Sequence, residues 1–273
     1  MSDPLLSVRD LRVALADGTE LVRGVSFSVE RGGSLGIVGE SGSGKSLTCR
    51  AVLGIIPEGV AVTSGELAFD GVDLRALSYE QWMPLRGRRI SAVFQDPGSY
   101  LNPSIPVGRQ LAEALRASSA LTRPEARARA IELFASLGLR EPQRVARQYP
   151  HELSGGMLQR VLIAIAICAD PQLLIADEAT TALDVTVQAE VLDVLADLAA
   201  TRELAIVLVS HDLAVVAQVC ENIVVMRDGV IVESGPTSTV LGNPQHEYTR
   251  LLVADHERYG IEKYLAAREL ARV

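Results

Sequence analysis

The chain has 273 residues, 48% of them hydrophobic and 22% charged, enough apolar material for a sizeable core in one large domain or two lobes. Its formal net charge of −8 argues against nucleic acid as the main partner, because that partner selects basic surfaces. Its three cysteines, Cys49, Cys168 and Cys220, are scattered and odd in number, which excludes a disulfide framework or a Cys-x-x-Cys metal site and suits reduced thiols.

Met1–Asp10 carries no basic segment followed by an apolar stretch, so no signal peptide is expected. The first predicted element is a buried strand, Ser34–Val38. It runs into Gly39-Glu40-Ser41-Gly42-Ser43-Gly44-Lys45-Ser46, followed by a helical stretch over Leu47–Leu53. This is the full G-x-x-x-x-G-K-[ST] phosphate loop in the strand–loop–helix context it requires. Glycines let the backbone wrap closely and turn N–H groups inward, and the helix presents its positive end. Lys45 would add a full charge at the outer phosphates, and the Ser46 hydroxyl would ligate Mg²⁺. Only Lys45 and Lys263 are lysines, every other basic residue being Arg, so a lysine here looks selected for its chemistry. A plain flexible turn is the competing reading, and the flanking strand and helix weigh against it.

From Val107 to Cys168 the pattern is helical. Thr122-Arg123-Pro124-Glu125 combines an N-cap, an early proline and a capping-box glutamate, with Ile131, Leu133, Phe134 and Leu137 at helical spacing. A second helix start, Leu153-Ser154-Gly155-Gly156, follows. Ser154 is a good N-cap, and the two glycines leave the first N–H groups open to an anion, although a simple cap explains the segment alone. The longest apolar run, Val161–Ala169, falls short of the roughly 20 residues of a membrane span, so a membrane role is expected to come through a partner.

Leu173–Ala176 reads as another buried strand, ending in Asp177-Glu178. Carboxylates at the end of a parallel strand sit at the mouth of the sheet, where ligands bind. Asp177 would hold Mg²⁺ and Glu178 would polarise the attacking water. Ala205–Val209 is a third strand, followed by Ser210-His211-Asp212. Ile223–Met226 and Val230–Val232 flank Arg227-Asp228-Gly229, a strong hairpin signal. Uninterrupted apolar strands imply a sheet covered on both faces, so the fold class is α/β with a helical lobe inserted between early and late strands. The apolar residues of the tail, Leu251, Leu252, Val253, Tyr259 and Leu265, read as packing.

With these motifs in order, the chain resembles an ATP-binding cassette subunit over nearly its whole length. Leu153–Gly156 resembles the family signature, Gln95 in Val93-Phe94-Gln95-Asp96-Pro97 its glutamine loop, Ala182-Leu183-Asp184 its aspartate loop, and His211 its switch histidine. The resemblance implies a P-loop NTPase (RecA-like) core with an inserted α-helical subdomain and an antiparallel β-subdomain. It places the nucleotide-binding core at residues 1–96 and 171–235, the helical subdomain at 97–170 and a C-terminal extension at 236–273. It implies ATP and Mg²⁺ as cofactors. Gly39 through Ser46, Ser154, Gly155, Gly156 and Asp184 would bind the nucleotide, Ser46, Gln95 and Asp177 the metal, and Glu178, His211 and Gln95 would serve catalysis. Two such subunits would sandwich two ATP molecules, each Lys45 loop facing the partner's signature.

The implied partners are two transmembrane permease subunits, a second ATPase subunit (a different chain, or another copy of this one), and an extracytoplasmic solute-binding protein, with no nucleic acid. The implied place is the cytoplasmic face of the cell membrane. Segments Phe94–Pro97, Leu101-Asn102-Pro103 and Asn243–Thr249 are similar to the peptide and nickel importers. Lys45–Cys49, Gly155–Arg160 and Tyr259–Glu262 look closest to the nickel and metallophore members. No cysteine follows Cys220, where many peptide-importing relatives carry a cysteine cluster, so nickel or a metal chelate is the first expectation and a dipeptide or oligopeptide the alternative. Soluble cassette ATPases usually carry tandem cassettes or coiled coils, and a regulatory cassette would lack Glu178 or His211. Two departures stand out. No Tyr, Phe or Trp precedes Phe27 to stack on adenine, leaving an aliphatic residue near Val13 to Ala16, such as Leu15, to pack there instead, and Ala179 stands where proline is usual. Gly98–Arg109 is the expected contact with the membrane subunits, set against a plain surface loop.

Overall fold

The computed structural model describes residues 3–179 and 185–257. In chain order, strands β1 (Leu6–Leu15) and β2 (Glu20–Val29) are followed by β3 (Ser34–Val38) and helix α1 (Lys45–Val52). Next come β4 (Val60–Phe69), β5 (Val72–Asp73), the single turn α2 (Tyr79–Trp82) and β6 (Ile90–Val93). Helices α3 (Val107–Ser118), α4 (Arg123–Ser136), α5 (Pro142–Val145) and α6 (Gly155–Ile167) separate β6 from β7 (Leu173–Asp177). The chain continues through α7 (Val185–Arg202), β8 (Ala205–Ser210) and α8 (Leu213–Val219). It closes with β9 (Asn222–Arg227), β10 (Val230–Pro236), α9 (Thr237–Gly242) and α10 (Glu247–Glu257).

Two sheets result. The larger has the order β10-β9-β3-β8-β7-β6, parallel from β9 to β6, with β10 folded back antiparallel through the Asp228-Gly229 turn. Every residue of β3, β7 and β8 is buried, so both faces need cover, and alternate side chains divide between two cores. Leu35, Ile37, Leu173, Ile175, Val207 and Val209 join one core with α1 and the smaller sheet. Val38, Leu174, Ala176, Ile206 and Leu208 join the other with α6, α7 and α8. Each fully buried aliphatic of this kind contributes on the order of 1.5–3 kcal/mol.

The smaller sheet is antiparallel, in the order β2-β1-β4-β5. Its long strands are hard to read in the sequence because β1 is bulged. Asp10 takes φ 44°, and the register shifts between Val8 and Leu11, so the alternation of Leu6 and Val8 resumes out of phase at Leu11 and Val13. Arg89, just before β6, joins the sheets. It donates to Gln172 Oε1 at 2.9 and 2.7 Å, pairs with Asp70 at the end of β4, and lies over the Phe69 ring at 5.1 Å.

The expected capping box at Thr122 is present, with Glu125 Oε2 accepting from the Thr122 N–H at 2.8 Å. The helix after the phosphate loop begins at Lys45 rather than Leu47, which brings Lys45 and Ser46 into its first turn. In the tail, Val253 is buried as expected, but Leu251 is 59% exposed and does not pack; Tyr259 and Leu265 lie outside the described residues. Among the described residues no helix is long and apolar enough to cross a membrane.

Candidate nucleotide site

The chemistry-bearing residues gather at the C-terminal edge of the parallel strands. Gly39–Gly44 follows β3, Gln95 follows β6, Asp177 ends β7 with Glu178 next, and His211 follows β8. The ladders put these strand ends level: Val38 pairs with Ser210, Asp177 with Val209, and Val93 with Ala176. Such an edge is where ligands sit in open α/β sheets.

The loop is built for close backbone approach. Gly39 adopts φ 149°, and a Cβ there would lie 2.1 Å from the Met226 carbonyl oxygen. Gly44, at φ 97°, caps α1 in the left-handed region. Lys45 is 4% exposed, and its ammonium donates to the carbonyls of Gly39 at 2.7 Å and Glu40 at 2.8 Å. Burial lowers its pKa, opposed by the charges of Glu178 and Asp177. The Ser43 hydroxyl is buried without a hydrogen-bond partner among the described residues. A buried cation, an unpartnered hydroxyl and a helix N-terminus around one glycine cradle fit a phosphate chain.

The Ser46 hydroxyl donates to Asp177 Oδ1 at 2.8 Å. Burial raises the Asp177 pKa, the Ser46 bond lowers it, and repulsion from Glu178 raises it further. A hydroxyl and a carboxylate meeting beside a phosphate cradle form a hard-oxygen donor set suited to Mg²⁺, which takes its other ligands from phosphates and water. Among the described residues no group of three or more His, Cys, Asp or Glu could hold a metal ion.

Glu178 sits at φ 50°, its N–H donating to the Val209 carbonyl at 3.0 Å. That left-handed kink turns the chain off the end of β7. His211 Nδ1 lies 4.0 Å from Glu178 Oε1, with the imidazole 54% and the carboxylate 21% exposed. Asp212 fixes the neighbouring turn by capping α8 through the Ala214 N–H at 2.8 Å. The structure therefore brings Lys45, Ser46, Asp177, Glu178 and His211 to one edge, with Gln95 exposed on the adjacent strand end.

It does not bring the second helix start there. Ser154 caps α6 through the Met157 N–H at 3.4 Å, and Gly156 packs so tightly against α7 that a Cβ would meet Val187 at 2.1 Å. The cavity beside it, about 480 Å³, is lined by Gly138, Arg140, Ser154, Met157, Arg160 and Glu190 among others, with no phosphate-loop residue. Asp184 lies outside the described residues. A groove of about 420 Å³ opens where β6 meets the helical lobe, with Phe94 and Tyr100 stacked at 5.7 Å on its wall.

One participant escaped the sequence reading. Tyr248 on α10 accepts a hydrogen bond from the Glu40 N–H at 2.9 Å. The Asn243–Thr249 segment is similar to that of the importer branch, but no local pattern ties its tyrosine to a backbone N–H 208 residues away.

The family model described as ABC transporter matches residues 22–181. The chain belongs to the ABC transporter family. This ATPase is 43% identical over 254 residues to the oligopeptide transport ATP-binding protein OppD of Bacillus subtilis, covering 92% of this chain and 71% of that protein. It is 40% identical over 238 residues to the metal-staphylopine import system ATP-binding protein CntD of Staphylococcus aureus, covering 87% and 88%. Among solved structures it matches the ATP-binding cassette MJ0796, a dimer in a post-hydrolysis state bound to ADP and Pi. The TM-score is 0.75 at 26% identity, over 85% of this chain and 98% of that one. The fold is that of a P-loop cassette ATPase, and the subunit couples ATP hydrolysis to transport.

Proposed function

We propose that this subunit powers uptake of short peptides, with Gly39–Ser46 holding the phosphates of ATP, and that it acts as one half of a two-subunit nucleotide sandwich. The observation carrying the catalytic part is the Ser46–Asp177 hydrogen bond of 2.8 Å, placed beside the buried Lys45 and one residue from Glu178. Lys45 would exchange its two loop carbonyls for phosphate oxygens. Ser46, Asp177 and Gln95 would hold Mg²⁺, which when bound neutralises charge developing on the phosphates. Glu178 would accept the proton of the attacking water, and His211, within 4.0 Å of it, would orient that water and the outer phosphate. Ser154, Gly155 and Gly156, remote from the loop of their own chain, would meet the nucleotide of a second subunit together with Asp184. The dimeric MJ0796 cassette supports this reading.

The cargo rests on the relatives. The motifs resemble the nickel members, whereas the relatives favour peptide: OppD of Bacillus subtilis and the dipeptide protein DppD of Escherichia coli are both 43% identical. A metal chelate remains the second reading on the strength of the CntD match at 40%. Two permease subunits and a solute-binding protein would complete the transporter at the cytoplasmic face of the membrane, with the groove beside Phe94 and Tyr100 receiving the permease. Uptake of radiolabelled tripeptide and of a labelled nickel chelate, measured in cells with and without the gene, tests the cargo. Loss of tripeptide uptake alone is expected, and loss of chelate uptake alone would replace peptide with chelate.

A further inference from the structure

The phosphate loop is fastened from outside by two segments far along the chain. The Gly229 N–H donates to the Ser43 carbonyl at 3.1 Å, at the tip of the β9–β10 hairpin. Tyr248, from α10, accepts the Glu40 N–H at 2.9 Å. The two fasteners touch each other, since the Arg227 guanidinium lies 4.9 Å from the centre of the Tyr248 ring. Tyr248 is 2% exposed, and its N–H donates to His246 Nδ1 at 3.2 Å. The Glu233 carboxylate holds the turn before α10 by accepting the N–H groups of Gln245 at 2.8 Å and His246 at 3.0 Å. The hydroxyl thus stands on a braced platform.

We propose that Tyr248 is a positioning residue for ATP: its oxygen fixes the first turn of the phosphate loop so that the remaining loop amides are set before the nucleotide arrives. The inference rests on the reading of Gly39–Ser46 as the ATP phosphate site. The physical reason is preorganisation. A loop already held in its bound shape does not lose conformational freedom on binding, and that saving appears as affinity. Lys45 takes the carbonyls of Gly39 and Glu40 and Tyr248 accepts the Glu40 N–H, so both backbone polar groups of Glu40 are held before any ligand arrives. The tail helix therefore belongs to the nucleotide site rather than serving only as packing.

The test uses the full-length chain and a fluorescent ATP analogue. Tyr248→Phe keeps the ring under Arg227 and removes only the oxygen. Its Kd for the analogue is expected to rise about fivefold, and KM for ATP likewise, with kcat within about twofold of wild type. Amide exchange at Glu40 should accelerate at least tenfold while exchange along Ser34–Val38 stays unchanged. An unchanged Kd in Tyr248→Phe, or a Glu40 amide already exchanging freely in the wild type, overturns the proposal. Lys45→Ala separates it from the reading beneath: if that variant binds the analogue normally, the phosphate-site assignment itself fails. If Lys45→Ala loses binding while Tyr248→Phe is unaffected, only the role of Tyr248 fails.

Discussion

The Asp177 carboxylate is held in surroundings that oppose its charge. It is buried and sits next to Glu178, so burial first and repulsion second raise its pKa, against the Ser46 hydrogen bond and the weaker pull of the Arg50 and Lys45 charges. A carboxyl whose folded pKa lies above its unfolded one binds a proton more tightly when folded. Stability is therefore full below the ordinary aspartate range of about 3.9 and falls as pH rises through the raised folded value. Asp177→Asn keeps the Ser46 partner and removes the charge. It should abolish Mg²⁺-dependent hydrolysis yet raise the nucleotide-free Tm at neutral pH by roughly 2–4 °C, about 1 kcal/mol for a chain of this size. Calorimetry at pH 4 and pH 7.5 checks the sign, because the gain should be larger at the higher pH. Leu15 is 38% exposed at the end of β1, and the family resemblance makes it the candidate to pack on adenine in place of an aromatic. Leu15→Tyr is expected to tighten ATP binding roughly tenfold, within the ~1–3 kcal/mol of a base–aromatic stack. A competition titration against GTP measures it, and an unchanged affinity places the base elsewhere.

Between elements, Arg89 adds a polar tie to the core that the two sheets share. Asp70 accepts from Arg89 and Arg31, and those bonds, Arg89 first, lower its pKa. The sign is opposite to that of Asp177: the contribution is present above the ordinary aspartate range and is lost as pH falls through the lowered folded value. Asp70 is 30% exposed, so screening limits its worth. Asp70→Asn should cost about 1 kcal/mol in urea unfolding at pH 7, with the gap to wild type closing at acid pH. A gap independent of pH would show that the pair does not carry the difference. The same scale explains which elements were legible. Strands β3, β7 and β8 announce themselves because burial on both faces demands uninterrupted apolar runs. β1 hides because a bulge at Asp10 resets its alternation, and β6 hides because four residues carry too little pattern.

For the whole molecule, the separation of the Ser154 cavity from the phosphate loop makes dimer formation the decisive experiment. Glu178→Gln should retain ATP binding, lose at least a hundredfold in turnover, and shift to a dimer in light scattering when ATP and Mg²⁺ are present. Ser154→Arg combined with Glu178→Gln should bind ATP equally well and remain a monomer. A Glu178→Gln chain that hydrolyses ATP at the wild-type rate removes Glu178 from catalysis.

By itself the sequence determined the phosphate loop, the Asp177-Glu178 pair, the hairpin at Asp228-Gly229 and the α/β class. Each is written in a contiguous stretch whose local chemistry, from glycine conformation to uninterrupted burial, leaves few alternatives. Only the tertiary structure decided that Ser46 reaches Asp177 across 131 residues, that Glu178 faces His211, that Ser154 stands apart from its own loop, and that Tyr248 holds Glu40. Those contacts depend on strand order and helix placement, and these are set by how two cores fill on either side of one sheet rather than by any single segment.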